Sequence, residues 1–506
     1  MKTLDYLSSP DLIKYVVQML PYKSLIIINR QAANPVYIQI SNSMVKLIRN
    51  GLLKPGSPLP GSRQMAELLQ VHRKTVVAAY EELFAQDWIE TIPRKGVLVS
   101  QNLPELKPRI FSANSKESRF ATLSGFSFRS PAGRLSNTET ASGHRLIIND
   151  GFPDPRISSV DSLLKEYRRL FHIPAIQRTT QYGNQAGSPK LRQHIAEFLS
   201  DSRGMDLGPE HILMSRGGQM AIFLVASLLL KPGSTVIVGE PNYPMANMCF
   251  ENFGAKLIRV PVDETGIDVE QIEKICKKKK PDLLYIIPHH HHPTTVTLSA
   301  EKRMKLVHLI RTYNFPVIED DYDFDFHYSS SPILPLASAD HGGNVIYIGS
   351  FTKSLAPSIK IGYMVAPENF IRAIAQLRKI VDIRGDTLLE EALAELFKTG
   401  QIQLHLKKSA KLYHQRRDLM ATLLEKEFGN KIQFRVPPGG MAIWVRFNSK
   451  YPLAAIAKRA SSKSLFMSDG KFYNTGQEDY NSLRMGFASL NEKEIREVVD
   501  ILKTSF

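Results

Sequence analysis

The chain has 506 residues, 43% hydrophobic and 23% charged, which is the balance of a globular protein with two or three domains. Two cysteines, Cys249 and Cys276, exclude a disulfide framework and point to a reducing cytoplasm. No apolar run approaches the roughly 20 residues that span a bilayer, no export signal is expected from the start at Met1, and the net charge of +16 favours polyanionic partners.

Leu12, Val16, Val17 and Leu20 recur at helical spacing, so a short packing helix is expected there. The segment from 30 to 100 reads as a compact domain. Pro35-Val36-Tyr37 opens a helix with Ile40, Met44, Leu47 and Ile48 on one face, and Gly51 closes it. Leu59-Pro60-Gly61-Ser62 leads into a second helix bearing Met65, Ala66, Leu68 and Leu69, with Ser62 expected as its N-cap. After the turn Gln70-Val71-His72, a third helix runs from Arg73 through Val76, Val77, Tyr80, Leu83 and Phe84. Trp88–Thr91 and Val97–Val99 read as strands joined by Pro93-Arg94-Lys95-Gly96. Three helices and a hairpin make a winged helix-turn-helix, whose second helix of the pair enters a major groove.

This segment resembles the GntR family of bacterial repressors. The likeness rests on Tyr37-x-Gln39-Ile40, the Leu-x-Pro-Gly turn, Leu59-Pro60-x-Ser62-Arg63, Arg73-x-Thr75-Val76 and a glycine in the wing. It implies that Ser62, Arg63, Arg73, Lys74 and Thr75 face DNA and that Arg94, Lys95 and Gly96 form the wing tip. Arg63 and Arg73 each start a helix, so both lie at one end of the motif, where long cations reach phosphates or guanine edges. His72 either touches phosphate or closes the turn. Residues 101–145 hold Pro104, Pro108 and many hydroxyls without an apolar period, and read as a linker.

From 146 to 506, short apolar runs repeatedly end in polar residues. Ser215-Arg216-Gly217-Gly218-Gln219 precedes an apolar-periodic helix, which puts bare amides at a helix N-terminus suited to phosphate. Thr235–Val238 runs toward Tyr243, and Leu284–Pro288 ends in His289-His290-His291-His292. Consecutive histidines on an extended chain point to alternate sides, so no metal site is expected. Val317–Glu319 leads to Asp320-Asp321-Tyr322, and Ile346–Gly349 to Ser350-Phe351-Thr352-Lys353, with Lys360 seven residues beyond Lys353. A lysine beside a hydroxyl and a second cation suits a Schiff base with an anionic aldehyde, although a solvated lysine is the commoner outcome. Ligands of open α/β sheets gather past the carboxyl ends of strands, so these runs converge on one site.

Together these stretches resemble fold-type I pyridoxal 5'-phosphate (PLP) enzymes of the aspartate aminotransferase class. The resemblance implies an α/β fold with a mixed, mostly parallel sheet flanked by helices and a small C-terminal subdomain. It implies that Lys353 carries the cofactor, Asp320 pairs with the ring nitrogen and Tyr322 meets the ring hydroxyl. Gly217, Gly218, Gln219, Ser350 and Lys360 would hold the phosphate, though Gly218 stands where Thr or Ser is common. Tyr243 would stack on the ring or cover the sheet end, and Tyr182 would reach a partner's cofactor or be a buried aromatic. His292 stands where that class has Asn, and Arg484 matches the arginine that grips a substrate carboxylate.

A winged helix, a linker and a fold-type I domain in that order resemble the MocR/GabR-type subgroup of GntR regulators. The resemblance implies a cytoplasmic, homodimeric, PLP-dependent regulator that binds operator DNA and an amine or amino-acid effector. The alternative is a working aminotransferase that carries a DNA-binding module.

Overall fold

The computed structural model describes residues 20–93, 96–103, 123–127, 143–174, 184–328, 333–356, 358–474 and 478–506. The helix expected around Leu12–Val17 lies outside the described residues. The chain divides into two compact units, Met1–Ser127 and Phe128–Phe506, and the division falls inside the segment read as a linker.

In the first unit the helices are Val36–Arg49, Ser62–Leu69 and Arg73–Ala85. Ile40, Met44, Met65, Val76 and Leu83 fill their shared core. The hairpin pairs Ile89–Ile92 antiparallel with Gly96–Val99. Trp88, expected to begin the first strand, is instead a buried ring just before it, with the Arg49 guanidinium 5.2 Å above. Leu68 and Phe84, assigned to apolar helix faces, are exposed.

Ser62 is not the N-cap. Gly61 holds that position, and Ser62 is the first helical residue. The Ser62 hydroxyl turns across to the next helix and accepts from Arg73 Nε at 3.3 Å, so it is not available to its own first turn. His72 does cap its helix, with Nδ1 accepting from the Lys74 backbone N–H at 3.1 Å.

The second unit is built on an eight-stranded sheet. Its order is Ile212–Ser215, Gly362–Val365, Val345–Ser350, Val317–Asp320, Leu283–Ile286, Thr235–Glu240, Lys256–Asp263 and Gly266–Ile267. The pairings from Val345–Ser350 through Lys256–Asp263 are parallel. Gly362–Val365 runs antiparallel to both neighbours, and Gly266–Ile267 is an antiparallel edge.

The central strands are continuous apolar runs because both faces are buried. Val236, Leu283, Tyr285, Ile318, Ile346 and Ile348 face one apolar cluster, while Ile237, Leu284, Ile286, Val317 and Val345 face another. That alternation is the two-residue period of a strand expressed between two cores. Helices Glu368–Val381, Thr387–Lys398 and the 28-residue Gln401–Phe428 lead to a three-stranded antiparallel sheet of Ile432–Phe434, Ala442–Phe447 and Ser482–Gly486. No helix among the described residues is long and apolar enough to cross a membrane.

Candidate functional site

Ser215, Glu240, Ile286, Asp320 and Ser350 end strands that point the same way, so the chain emerging from each arrives at one edge of the sheet. A cavity of about 240 Å³ lies there. Lys353, Asp320, Tyr322, Tyr243 and His292 line it, as do Gly217, Gly218, Gln219, Ser350 and Lys360. Of the cofactor residues named from the sequence, only Tyr182 is missing from this set, and it lies outside the described residues. A wider groove of about 580 Å³ runs along Glu240, Arg259 and Tyr473. Glu240 and Arg259 already pair at 2.8 Å, and no lysine lines the groove, so the smaller cavity holds the chemistry.

One end of the cavity is a set of donors. Gly217, with φ +79°, turns the chain into the helix Gly218–Leu229, which presents unpaired amides. The strand backbones crowd here. A Cβ on Gly362 would sit 2.8 Å from Gly217 Cα, so only glycine fits. Ser350, Thr352, Lys360 and Arg216 line the same cavity, adding hydroxyls and cations. Thr352 was not singled out from the sequence, although it lies inside the lysine stretch. Its Oγ1 is 3.6 Å from where a Gly217 Cβ would stand, so a hydroxyl reaches the glycine turn although Gly218 brings none. Amides, hydroxyls and cations together fit a phosphate.

Asp320 is a buried carboxylate that accepts from Tyr285 Oη at 2.7 Å. Burial, offset in part by that hydrogen bond, raises its pKa to about 7. No basic side chain hydrogen-bonds or ion-pairs with it among the described residues. A carboxylate in this condition fits a protonated ring nitrogen, which would supply the missing charge. Donor end and lone carboxylate together fit a pyridoxal phosphate.

Lys353 Nζ donates to Gly151 O at 2.8 Å and lies 4.2 Å from the Phe152 ring centroid. Burial lowers the amine pKa to about 8; Asp150 opposes the shift and Arg484 adds to it. At pH 8 about half of such an amine is neutral, against about one part in 300 at the ordinary lysine value. It is therefore a nucleophile near neutral pH.

The remaining polar groups form one network. Tyr322 Oη donates to His290 O at 3.0 Å and accepts from Arg484 Nη2 at 2.9 Å. Arg484 lies opposite Trp444 in the small sheet and is 1% exposed. Its Nη1 donates to Pro293 O at 3.4 Å, and its Nε is 3.3 Å from Asp150 Oδ1, close enough to ion-pair but not aligned for a hydrogen bond. Asp150 also accepts from His292 Nε2 at 2.7 Å and from Tyr473 Oη at 2.8 Å. Burial opposes its charge, but His292, Arg484 and Lys353 outweigh that and hold its pKa far below the usual carboxylate range. The Asp150 side chain is 36% exposed, so solvent screens part of this effect. His292 packs edge-on to Tyr243, with ring centroids 5.0 Å apart. Asp150, Phe152, Tyr285 and Tyr473 were not identified as site residues from the sequence.

The four histidines do not converge. His289 pairs with Asp321 at 3.1 Å and His290 with Asp323 at 2.9 Å, while His291 meets Thr294 and His292 meets Asp150.

In the first unit, the tie between Ser62 and Arg73 joins the starts of the second and third helices. A buried bond from Tyr80 Oη to Pro60 O at 2.8 Å braces the same junction. Arg63, Arg73 and Lys74 are exposed and have no acidic partner among the described residues, and Thr75 is half-buried beside them. Gly96 sits at the hairpin turn with φ +88°, a conformation that favours glycine. Arg94 and Lys95 lie outside the described residues.

Two families match this chain: "Aminotransferase class I and II" over residues 152–502, and "Bacterial regulatory proteins, gntR family" over residues 36–99. It is 26% identical over 487 residues to the "Probable rhizopine catabolism regulatory protein MocR" of Rhizobium meliloti, covering 95% of this chain and 96% of that one. It is 28% identical over 460 residues to the HTH-type transcriptional regulator TauR of Rhodobacter capsulatus, covering 89% and 92%. The crystal structure of Pyrococcus horikoshii kynurenine aminotransferase in complex with PMP is similar with a TM-score of 0.66 at 27% identity, covering 71% of this chain and 90% of that one.

Proposed function

This chain belongs to the aminotransferase class I and II family and carries a gntR-family domain ahead of it, and we propose that it is a PLP-dependent transcription regulator. In this reading the first unit binds operator DNA through Arg63, Arg73, Lys74 and Thr75, with the wing at Gly96. The second unit holds the cofactor and receives an amine effector. The two relatives named as regulators, each similar along most of the chain, support it.

The carrying observation is the meeting of Lys353, Asp320 and the Gly217–Gln219 amides in one cavity, on a chain that also bears a helix-turn-helix with exposed cations that have no acidic partner among the described residues. Bound pyridoxal phosphate supplies an electron-withdrawing ring and an aldehyde carbon. The protein's share is distinct. Gly217, Gly218, Gln219, Ser350, Thr352 and Lys360 would hold the phosphate, and Asp320 would keep the ring nitrogen protonated. Tyr243, Tyr322 and His292 would border the ring, and Lys353 offers a neutral amine. Amine entry into the cavity, with Lys353 engaged or free, would give the second unit two states that can bias DNA binding.

We further propose a homodimer, which light scattering tests directly, and a cytoplasmic location, which cell fractionation tests. The second reading, a working aminotransferase, is favoured by the nucleophilic state of Lys353 and by the likeness to kynurenine aminotransferase. One experiment separates the two. Operator affinity and transamination are measured with the same amines, for wild type and Lys353→Ala. A regulator changes operator affinity with an amine, loses that change in Lys353→Ala, and turns over slowly. Fast multiple turnover with operator binding indifferent to every amine favours the enzyme.

A further inference from the structure

The charges of the first unit are unevenly spread. Residues 20–66 hold six cations, Lys23, Arg30, Lys46, Arg49, Lys54 and Arg63, and no acidic residue. Glu67 is the first acid after them, and Glu81, Glu82, Asp87 and Glu90 follow in the second half of the helix Arg73–Ala85 and beyond it. A one-signed stretch of this kind favours a polyanion.

Arg30 lies ahead of the gntR-family match, which begins at residue 36, yet it reaches the helix-turn-helix itself. Its Nη2 donates to Gln70 O at 3.1 Å. Gln70 closes the helix Ser62–Leu69 in the left-handed conformation, with φ +53°, and stands two residues before His72, the cap of the helix Arg73–Ala85. The guanidinium is therefore held beside the start of the helix that presents Arg73 and Lys74. Arg30 is exposed and has no acidic partner among the described residues. A neutral amide could satisfy the Gln70 carbonyl, so the charge of Arg30 and the rest of its planar fork are left for a second acceptor.

The segment that carries Arg30 is anchored on both sides of it. Tyr22 and Ile26 are buried in the helical core. Gln39 Oε1 accepts from the Asn29 backbone N–H at 2.9 Å, and its Nε2 donates to Asn29 O at 2.9 Å and to Asn34 O at 2.7 Å. Asn29 Oδ1 accepts from the Gln31 backbone N–H at 3.0 Å. Ordered in this way, the arginine loses little further freedom when it meets an anion.

We propose that residues 20–34 form a phosphate-binding arm of the DNA-binding unit, and that Arg30 clamps a DNA backbone phosphate beside the groove that the helix Arg73–Ala85 enters. Arg30 sits on a loop tied to the turn and not on the entering helix, so it adds affinity and fixes register without reading sequence. This rests on the reading of the first unit as the operator-binding unit.

The test uses the full-length, cofactor-loaded protein and two duplexes, one enriched by wild type from a randomised pool and one with the same composition scrambled. Fluorescence anisotropy measures affinity for both across a salt series, and a thermal melt accompanies each variant. Arg30→Ala should weaken both duplexes alike, by roughly tenfold, and reduce the slope of log affinity against log salt by about 1. Arg30→Gln, which can still donate to Gln70 O, should lose as much, and Arg30→Lys should keep the slope. A merely structural tie predicts the reverse, rescue by glutamine with a wild-type slope, and that result overturns the proposal. Wild-type affinity in Arg30→Ala, or a loss confined to the enriched duplex, overturns it too. If Arg30→Ala melts early, Arg30→Gln decides. A wild type that enriches no duplex sinks the operator-binding reading and the arm with it. Binding that falls in Arg73→Ala but not in the Arg30 variants sinks the arm alone, so the two failures are distinct.

Discussion

Tyr285 and Asp320 are joined across adjacent parallel strands by a 2.7 Å hydrogen bond, buried beneath the cavity. The phenol donates to the carboxylate and favours its charged form, while burial pushes the other way and leaves the pKa at about 7. Tyr285→Phe removes the only side-chain donor on Asp320 among the described residues. The Asp320 pKa should rise further, and the acid should be protonated over more of the neutral range. A hydrogen bond to a charged group contributes about 1.5–3 kcal/mol, so PLP affinity should fall by roughly ten- to a hundredfold. Equilibrium titration of the apoprotein with PLP, followed by absorbance, checks this. Unchanged affinity would mean that Tyr285 only packs.

Lys353 should be the lysine that PLP labels. Borohydride reduction of the loaded protein, followed by mass mapping, should place the adduct on Lys353 and not on Lys360. An adduct elsewhere, or no visible band after PLP addition, counts against the site.

The rate of PLP capture by the apoprotein should rise with pH and level off above about 8, because only the neutral amine attacks and its pKa is about 8. Asp150 holds that value up, so Asp150→Asn should lower the Lys353 pKa and move the rise to lower pH. Stopped-flow capture across pH measures both. A shift to higher pH would contradict the charge arrangement.

Gly362→Ala should damage the phosphate end, since its Cβ would meet Gly217 Cα at 2.8 Å. Overpacking of that kind costs about 1–3 kcal/mol. Gly218→Ser should be tolerated, because a Cβ there stands 3.5 Å from Ile348 Cγ2 and 3.8 Å from Asp320 Oδ1, at ordinary contact. Its hydroxyl should tighten PLP binding. Thermal melts and PLP titrations of both variants make the comparison.

Arg63→Ala and Arg73→Ala should weaken binding to the specific DNA site, by about 1–3 kcal/mol where the side chain reads a base. Arg73→Ala also frees Ser62 Oγ, so a melt should accompany it to separate local loosening from lost contact. Lys74→Ala should weaken binding to all sequences alike and reduce the salt slope, as a phosphate contact does. Affinities indifferent to Arg63 and Arg73 would show that another face meets DNA.

What the sequence by itself determined is whatever local pattern controls. Apolar runs broken by Gly217, Tyr243, Asp320 and Lys353 marked strands and the polar residues past their ends. The period of Ile40, Met44 and Leu47 marked a helix face, and Gly96 marked the wing turn. These signals survive without tertiary knowledge because strand period, helix period and glycine conformation are properties of neighbouring residues. Only the tertiary structure decided which groups are spent on one another. Ser62 reads as a cap by position, yet Arg73 takes its hydroxyl from eleven residues away. Arg484 matches a carboxylate-gripping arginine by position, and only the fold shows that Asp150 faces it from more than 300 residues earlier, with His292, Tyr473 and Tyr322 in the same network. A hydrogen bond or ion pair needs two groups within about 3–4 Å, and that distance is set by how the sheet, the long helices and the small subdomain pack. No residue's neighbours in the chain carry that information.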